Sequence, residues 1–345
     1  MLFYLTLLFF VTVSSALVSY CRSWKVVWVF KIVTFLLISV PGAVRYGIGV
    51  DYWNYVDIFY NIKHTGTWLG EPGWMWLNMW VANVGGNEQW VFAIMAFVTA
   101  FFFFKGVPSK RWIIYAPLFL LAMYGWYFST VRQMFAASLA FYAWRKLDDG
   151  KYFLAILSIV VACTFHYSSL VYPFIYFICR YVTISKRFAV LIFFSCIVLS
   201  YACTNALTSV MTYLVSFSGK YANYIDTTWF LSPELGSGMG VLINYVTWFI
   251  IVLSFPLKNN RQIQFVYTLF LLYVVFMIIS DSIFIINRIS RGLIFVLLPV
   301  VWYFFSEKYE KKSIVFPLII LLYFVSFMAL LIRKNVNLLP YQVCF

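Results

Sequence analysis

Four arginines stand beside the ends of long apolar stretches in this sequence: Arg45, Arg132, Arg288 and Arg291. A guanidinium is planar and permanently charged, and it binds the oxygens of a phosphate group two at a time. Four such groups gathered at one mouth of a helical bundle would suit a pyrophosphate. Each arginine could instead extend to lipid headgroups or pair with a nearby carboxylate. A role in binding is favoured most for Arg132, because residues 130–133 form a very tight turn between two apolar runs.

Three titratable side chains could accept a proton in the same region. Asp51 and Glu71 share a polar segment with Arg45, and a carboxylate can deprotonate a hydroxyl nucleophile. Either acid could instead pair with an arginine or cap a helix, and Glu71 precedes Pro72, which suits a helix start. His166 follows a strongly apolar run, and an imidazole titrates near neutral pH. The alternative for His166 is a hydrogen-bonded histidine without a catalytic role.

The sequence predicts neither a metal site nor a cofactor. The other histidine, His64, has no ligand spacing to His166. The six cysteines include no C-x-x-C pair and mostly lie in apolar runs, which is typical of small packing residues.

Aromatic side chains make up 23% of the chain, and many of them cluster in the polar segments near the arginines. Trp and Tyr collect at membrane interfaces in general, and sugar rings also stack on aromatic planes. We interpret the cluster as a mixture of both. The side chains that we expect to contact substrate are Tyr52, Gln133 and Tyr221.

The composition excludes an ordinary soluble protein. Hydrophobic residues account for 64% of the 345 residues and charged residues for only 10%, with a mean hydropathy of +0.90. A soluble domain is about half apolar and about a quarter charged, so lipid must surround most of this chain. The net charge of +14 would suggest nucleic acid in a soluble protein. In a membrane protein it follows from Lys and Arg in cytoplasmic loops, and we expect no nucleic-acid partner.

Hydropathy therefore predicts an all-α, polytopic integral membrane bundle of about 11–12 transmembrane helices. A span needs about 20 apolar residues, and several candidates are shorter. The candidate spans are 2–20, 26–44, 88–104, 112–128, 130–145, 152–165, 166–180, 188–205, 238–256, 262–280, 292–306 and 313–332. The pair that covers 152–180 has to fold back within the membrane, with His166 near the crest.

The positive charges predict which loops face outward. Most of the 25 Lys and Arg fall in six short loops that alternate along the chain, and these we place in the cytoplasm. The outward loops are then 45–87, 129–131, 206–237, 281–291 and 333–345. Segment 72–84 would break the alternation if it crossed the bilayer, so we predict a short interfacial or re-entrant helix there.

The sequence indicates a single transmembrane domain over residues 1–345, because no polar segment is long enough for a soluble domain. The two long outward loops, 45–87 and 206–237, would cover an active site on the outer face.

Four segments carry a family resemblance, in family order. Residues 45–55, R-Y-G-I-G-V-D-Y-W-N-Y, resemble the R-x-G-x-G-x-D-Y-x-x-Y signature of EpsG/Wzy-type polysaccharide polymerases. Residues 71–74, E-P-G-W, are similar to the family's E-P-G-F/W step. Residues 131–140 resemble its I-R-Q-x-x-A-x-x-L helix start, and residues 165–170, F-H-Y-S-S-L, its F-H-x-S-A-L element. The chain departs from these patterns where a Thr (at 50) and an Ala (at 169) are common, and neither departure touches a charged position.

The resemblance implies a GT-C-like membrane glycosyltransferase of the bacterial inner membrane, with its active site on the periplasmic or outer face. Such enzymes polymerise oligosaccharide repeat units carried on undecaprenyl pyrophosphate into O-antigen, capsule or exopolysaccharide. The implied partners are these lipid-linked glycans, the bilayer and a chain-length regulator protein. Direct inverting displacement without a covalent intermediate is the implied stereochemistry.

The expected mechanism divides the charged residues into two groups. Expulsion of a pyrophosphate needs cations at the developing charge, a task that falls to Arg132, Arg45, Arg288 and Arg291. A general base must deprotonate the acceptor hydroxyl, and we rank His166 first for this role, then Glu71 and then Asp51.

Two other classes of protein share part of the pattern. A transporter or flippase of lipid-linked sugars would show internal repeats and helices broken at the midplane, and no repeat is visible. A related O-antigen ligase-type transferase would use the same donor and the same arginine chemistry with a different acceptor, so the sequence separates it poorly from a polymerase.

Overall fold

The computed structural model describes residues 1–67, 70–202, 204–216, 238–257, 260–283, 286–306, 312–333 and 336–344. The regular structure of these residues is helical, apart from one antiparallel bridge between Arg45 and Val343. In chain order the helices are α1 Leu2–Tyr20, α2 Trp24–Val44, α3 Tyr52–Thr65, α4 Pro72–Asn83, α5 Glu88–Gly106, α6 Trp112–Ser129, α7 Val131–Asp148, α8 Tyr152–Phe165, α9 Tyr172–Tyr181, α10 Lys186–Ala202, α11 Thr204–Ser216, α12 Met239–Ser254, α13 Arg261–Ser280, α14 Asn287–Leu293, α15 Leu297–Phe305 and α16 Lys312–Ile332.

Seven helical segments of the described chain are long and apolar enough to cross a bilayer, which confirms a polytopic all-α membrane protein. They are Leu2–Tyr20, Trp24–Val44, Glu88–Gly106, Ser109–Ser129, Arg261–Ser280, Asn287–Phe305 and Ile314–Ile332. An eighth span results if Lys186–Ala202 and Thr204–Tyr213, which meet at 82°, count as one.

The seven or eight spans among the described residues are fewer than the 11–12 expected from hydropathy, for reasons visible in particular helices. Helices α8 and α12 contain only 14 and 16 residues. Segment 166–180 is divided between a 3₁₀ turn, Tyr167–Val171, and the short helix α9. Helix α7 carries charged residues near both of its ends, which lowers its mean hydropathy.

Contacts divide the chain into two compact units. Unit 1 comprises Met1–Tyr172 and Tyr323–Phe345, and unit 2 comprises Pro173–Leu322. The sequence motifs of the first half of the chain all lie in unit 1.

Helices α6 and α7 form the centre of unit 1. Helix α6 is apolar on all sides and most of its residues are buried, as expected of a helix surrounded by other helices. Helix α7 presents the small residues Ala136, Ala137 and Ala140, each at most 1% exposed. Small side chains let helix backbones approach closely where no hydrophobic effect drives association, and α7 packs against α5 and α8.

Polar side chains add specific links between the helices of unit 1. Tyr124 of α6 donates a hydrogen bond to the Ile38 carbonyl at 3.1 Å, and Thr34 donates one to the Ser14 hydroxyl at 2.8 Å. Such interhelical bonds are each worth about 0.5–2 kcal/mol in a membrane. They fix the rotation of α1, α2 and α6 about their own axes.

The short helix expected at 72–84 is α4, and one of its faces packs into unit 1. Trp74, Met75 and Val81 are fully buried, whereas Trp76 and Trp80 are exposed. The start of α4 lies directly against the end of α8, because Gly73 has no side chain. A Cβ atom at Gly73 would lie 2.5 Å from Thr164 Oγ1 and 2.7 Å from the Phe165 ring.

We expect Gly73→Ala to destabilise unit 1 by about 1–3 kcal/mol, the usual cost of overpacking a tight site. The Phe165 ring cannot yield easily, because its edge packs against Phe135 with centroids 4.7 Å apart. The measurement is the melting temperature of the purified protein in detergent. Asn83→Ala, at the exposed end of the same helix, is the control, and an unchanged melting temperature for Gly73→Ala would contradict the packing argument.

Unit 2 is organised around α13, which contacts α10, α14 and α15. At the end of α13, Tyr245 donates a hydrogen bond to Asp281 Oδ2 at 2.6 Å, and the hydroxyls of Ser200 and Ser282 lie 2.6 Å apart. These bonds tie α10 and α12 to the segment that leads into α14.

Candidate functional site

A one-residue turn places Arg132 at the start of α7. Helix α6 ends at Ser129, and Thr130 alone connects it to α7. The amide of Thr130 donates to the Trp126 carbonyl at 2.7 Å, and the Thr130 carbonyl accepts from the Met134 amide at 2.9 Å. The tight turn predicted at 130–133 is therefore present, and it leaves Arg132 in the first turn of α7.

The carboxylate of Glu71 neutralises this arginine. Arg132 Nη1 donates to Glu71 Oε2 at 2.6 Å, and Glu71 is only 3% exposed. A cation is unfavourable beside the positive end of a helix dipole, and a carboxylate is favourable there. Glu71 meets that end of α7 and also precedes Pro72, the first residue of α4. Its negative charge therefore stabilises both helix starts as well as the guanidinium.

His166 completes the cluster from the C-terminal end of a third helix, α8. Helix α8 ends at Phe165, and His166 adopts an extended backbone before the 3₁₀ turn. The side chain is buried, and its Nδ1 lies 3.7 Å from Glu71 Oε1. The two oxygens of Glu71 thus face two different partners, a guanidinium and an imidazole. The interruption of the helix predicted near His166 is present, because α8 ends one residue before it.

Two aromatic rings hold the Arg132 guanidinium in place. Its central carbon lies 5.5 Å from the centroid of Tyr55 and 5.6 Å from that of Trp74, within the range of cation–π attraction. The Tyr55 hydroxyl also hydrogen-bonds to Arg132, while burial raises the pKa of Tyr55 above its usual value. Asp51, at the start of α3, is close enough to act electrostatically on both Tyr55 and Arg132.

We expect Tyr55→Phe to lower the rate of the polymer synthesis that the family resemblance implies by about 10- to 100-fold. The change removes one hydrogen bond to a charged group, worth about 1.5–3 kcal/mol, and keeps the ring. The measurement is polymer formed per unit of protein, compared with Tyr60→Phe on the exposed side of the same helix. Equal rates for the two variants would mean that the hydroxyl does not position Arg132.

Arg45 lies apart from the Glu71 pair in an aromatic enclosure. The side chain is 1% exposed, and its guanidinium carbon lies 4.7 Å from the Phe92 centroid, 5.4 Å from that of Phe128 and 5.8 Å from that of Tyr52. Nη1 donates to the Phe128 carbonyl, and burial lowers the pKa of Arg45 to about 10. Its expected contact with a pyrophosphate stays a prediction.

The other predicted substrate contacts are buried or lie outside the described residues. Tyr52 and Gln133 are 1% and 4% exposed, and the Tyr52 ring stacks on Phe92 with centroids 4.8 Å apart. Tyr221, with residues 217–237 of the second outward loop, lies outside the described residues. The roles of these three side chains in substrate binding stay predictions.

Arg288 and Arg291 both lie on α14 of unit 2. Residues three apart on a helix occupy neighbouring positions on one side, so the two arginines can act on one ligand. Arg291 is buried and Arg288 is partly exposed. Their predicted role in binding pyrophosphate stays a prediction.

Sequence reasoning did not single out Tyr55 and Trp74, although their signal was present. Tyr55 is the last tyrosine of the first matched motif, and Trp74 is the aromatic residue of the E-P-G-W step. Both belong to the aromatic cluster that we interpret from the sequence as a mixture of an interfacial belt and a sugar-stacking surface, and nothing in the sequence assigns either ring to Arg132.

The cluster combines three chemical capacities at one place. The Arg132 guanidinium and the amides at the start of α7 can bind an anion. His166 can accept a proton, and Glu71 can orient it. Within the described ranges, no group of three or more His, Cys, Asp or Glu side chains could hold a metal ion.

Comparison with known proteins gives one match. A family model described as the EpsG family matches residues 27–343, a range that contains all four motif segments and the cluster. No curated protein matches the chain, and no solved structure does. The GT-C-like architecture stays a prediction.

Proposed function

The chain belongs to the EpsG family, and on that premise we propose that it is a membrane glycosyltransferase that polymerises oligosaccharide repeat units carried on undecaprenyl pyrophosphate. Family membership and the helical membrane bundle together support a polysaccharide polymerase-type membrane protein. The lipid-linked substrate, the bacterial inner membrane and the periplasmic face are further parts of this proposal.

The observation that carries the proposal is the cluster of the partly buried Arg132 with the buried Glu71 and His166. Transfer of a glycan from a pyrophosphate carrier needs a cation at the leaving group and a base at the attacking hydroxyl. The cluster supplies both from the ends of three helices, α4, α7 and α8, with Glu71 Oε2 2.6 Å from Arg132 Nη1 and Glu71 Oε1 3.7 Å from His166 Nδ1.

In the proposed reaction, a sugar hydroxyl of the acceptor unit attacks the anomeric carbon of the growing polymer. The bond from that carbon to the pyrophosphate oxygen breaks, and its electron pair stays on the pyrophosphate. His166 takes the proton of the hydroxyl as the new glycosidic bond forms. Arg132 stabilises the charge that develops on the leaving oxygen. A single displacement of this kind inverts the configuration at the anomeric carbon.

The contacts of Glu71 support its assignment as the orienting residue and that of His166 as the base. Both carboxylate oxygens of Glu71 already face a cationic or protonatable partner. A carboxylate beside an imidazole fixes the orientation of the ring and stabilises the imidazolium that forms on proton transfer. Asp51 acts electrostatically on Tyr55 and Arg132, and it is the third candidate for the general base.

The test is deletion of the gene in its native host, followed by gel analysis of the surface polysaccharide. We expect the polymer ladder to disappear while a single repeat unit remains on its acceptor. Re-expression of the wild-type chain should restore the ladder, and re-expression of the Arg132→Ala variant should not. Loss of every repeat unit would instead indicate a flippase or an earlier step, and an unchanged ladder would contradict the proposal.

A further inference from the structure

We infer that Arg45 is a positioning residue, which fixes the turn that carries Arg132 and makes no contact with substrate. Arg45 acts together with the rest of its loop, which comprises residues 45–50, and with the C-terminal segment, residues 337–344. This inference rests on the proposed function for its effect on activity, and on contacts within unit 1 for its geometry.

The first contact satisfies a carbonyl at the buried C-terminal end of α6. The last four carbonyls of a helix have no partner within the helix and carry its negative dipole end. At the end of α6 the Trp126 carbonyl accepts from Thr130, and the Phe128 carbonyl accepts from Arg45 Nη1. The Arg45 guanidinium therefore lies at the negative end of the α6 dipole, where a cation is favourable. The carbonyl that it contacts belongs to Phe128, four residues before Arg132.

The second contact is a close approach of two backbones. Gly49 has a φ of +99°, and a Cβ atom there would lie 2.5 Å from the Phe128 carbonyl oxygen. Its neighbour Val50 donates its amide to Ser129 Oγ at 3.3 Å. The 45–50 loop thus lies directly against Phe128 and Ser129, the last two residues of α6. This close approach is possible because position 49 carries no side chain.

The third contact ties the loop to the end of the chain. The amide of Tyr46 donates to the Gln342 carbonyl and that of Cys344 donates to the Val44 carbonyl, each at 3.0 Å. The amide of Gly49 donates to the Asn337 carbonyl at 3.1 Å. The first two are the bonds of the antiparallel bridge between Arg45 and Val343. The C-terminal segment thus holds the loop at both of its ends, and its Tyr341 ring also contacts Phe128 of α6.

The chain of contacts then reaches the catalytic cluster through one residue. Thr130 is the whole connection between α6 and α7, so a shift of Ser129 moves the first turn of α7 with it. Arg132 lies in that turn and pairs with Glu71. A displacement of about 1 Å in a catalytic group can lower a rate by about 100-fold, so the turn has to be held firmly.

Burial argues against direct contact between Arg45 and a diphosphate. The side chain is 1% exposed and three aromatic rings surround its guanidinium. Arg132, by comparison, has 22% of its side chain exposed. Of Arg45 and Arg132, only Arg132 offers nitrogen atoms to a ligand without a rearrangement of the rings.

The geometry can be tested without an activity assay. In a full-length chain whose native cysteines are replaced by Ser, Glu71→Cys and Arg132→Cys are cross-linked with a short bifunctional thiol reagent. We expect the yield to fall severalfold when Arg45→Met or Gly49→Ala is added. Gly47→Ala is the matched control on the same loop, because a Cβ there meets only the Trp53 ring at 3.8 Å. Arg45→Lys should restore much of the yield, since an ammonium can still donate to the Phe128 carbonyl.

Activity then separates positioning from direct binding. In vitro polymer synthesis should fall about 10- to 100-fold with Arg45→Met. When position 132 already carries Lys, adding Arg45→Met should lower the rate of polymer synthesis by less than about a further twofold. The reason is that a residue that acts only through another shows strong non-additivity.

Two results would overturn the inference: an unchanged cross-linking yield with Arg45→Met, or the full loss of rate in the Arg132→Lys background. A wild-type chain without polymerase activity would instead count against the proposed function, and the cross-linking result would still decide the geometry.

Discussion

Arg132→Ala is expected to lower polymer synthesis by about 1,000-fold or more and so to remove the polysaccharide ladder. A preorganised cationic donor at a developing negative charge is worth about 10²–10³ in rate, and an arginine that stabilises a phosphoryl leaving group is worth more. Arg132 is the partly buried guanidinium of the cluster, and two aromatic rings and Glu71 hold it in one orientation. The measurement is the ladder on a gel, with the protein level checked on a blot.

Arg132→Lys is expected to rescue poorly, with a rate about 100-fold below that of the wild type. An ammonium keeps the charge but lacks the planar fork that binds two phosphate oxygens. The matched control is Arg145→Ala on the same helix, whose arginine forms only a partly exposed pair with Asp149 at 3.6 Å and should leave the ladder intact. A normal ladder from Arg132→Ala would count against the pyrophosphate contact.

His166→Ala is expected to lower the rate by about 10²–10⁴-fold, the usual contribution of a general base. The histidine lies beside Glu71 in a buried position, and its loss removes the only imidazole of the cluster. In vitro, the rate of the variant should rise steadily with pH, because hydroxide then replaces the missing base. The wild-type rate should level off above the pKa of the base.

His64→Ala is the control for that experiment, because His64 is the other of the two histidines in the chain and lies exposed at the end of α3. Its replacement should leave both the ladder and the pH profile unchanged. If His166→Ala instead makes normal polymer, the base is Glu71 or Asp51, and Glu71→Gln and Asp51→Asn become the informative variants.

The helices could be predicted from the sequence where hydropathy and length agree. Spans 2–20 and 262–280 are Leu2–Tyr20 and Arg261–Ser280 in the structure. Prediction was least accurate where a run of apolar residues was long enough for a helix but too short for a bilayer, as at 152–165. Apolar content alone does not separate a full membrane span from a shorter apolar helix.

The residues of the candidate cluster could be named from the sequence, but which carboxylate pairs with which arginine could not. Charge alternation places Arg132 and Glu71 on the same side of the membrane, but their ion pair depends on how closely α4 approaches α7 and α8. That approach is set by Gly73 and by the small residues of α7, whose effect appears only when the helices are packed. Arg45 was grouped with Arg132 because both arginines adjoin the outer boundary. Boundary position carries no information about whether a side chain faces a ligand or an aromatic enclosure.

The salt bridge between Arg132 and Glu71 has a consequence for competition by small anions. In the resting protein the guanidinium is already occupied by an internal counter-ion held 2.6 Å away. Under the proposed function, an incoming diphosphate competes with this carboxylate for the guanidinium, so its binding is in part an exchange of partners. We expect free phosphate, with fewer contacts to offer and no lipid to anchor it, to be a weak rival in that exchange. The resting ion pair would then favour the membrane-bound carrier over the abundant ions of the surrounding fluid.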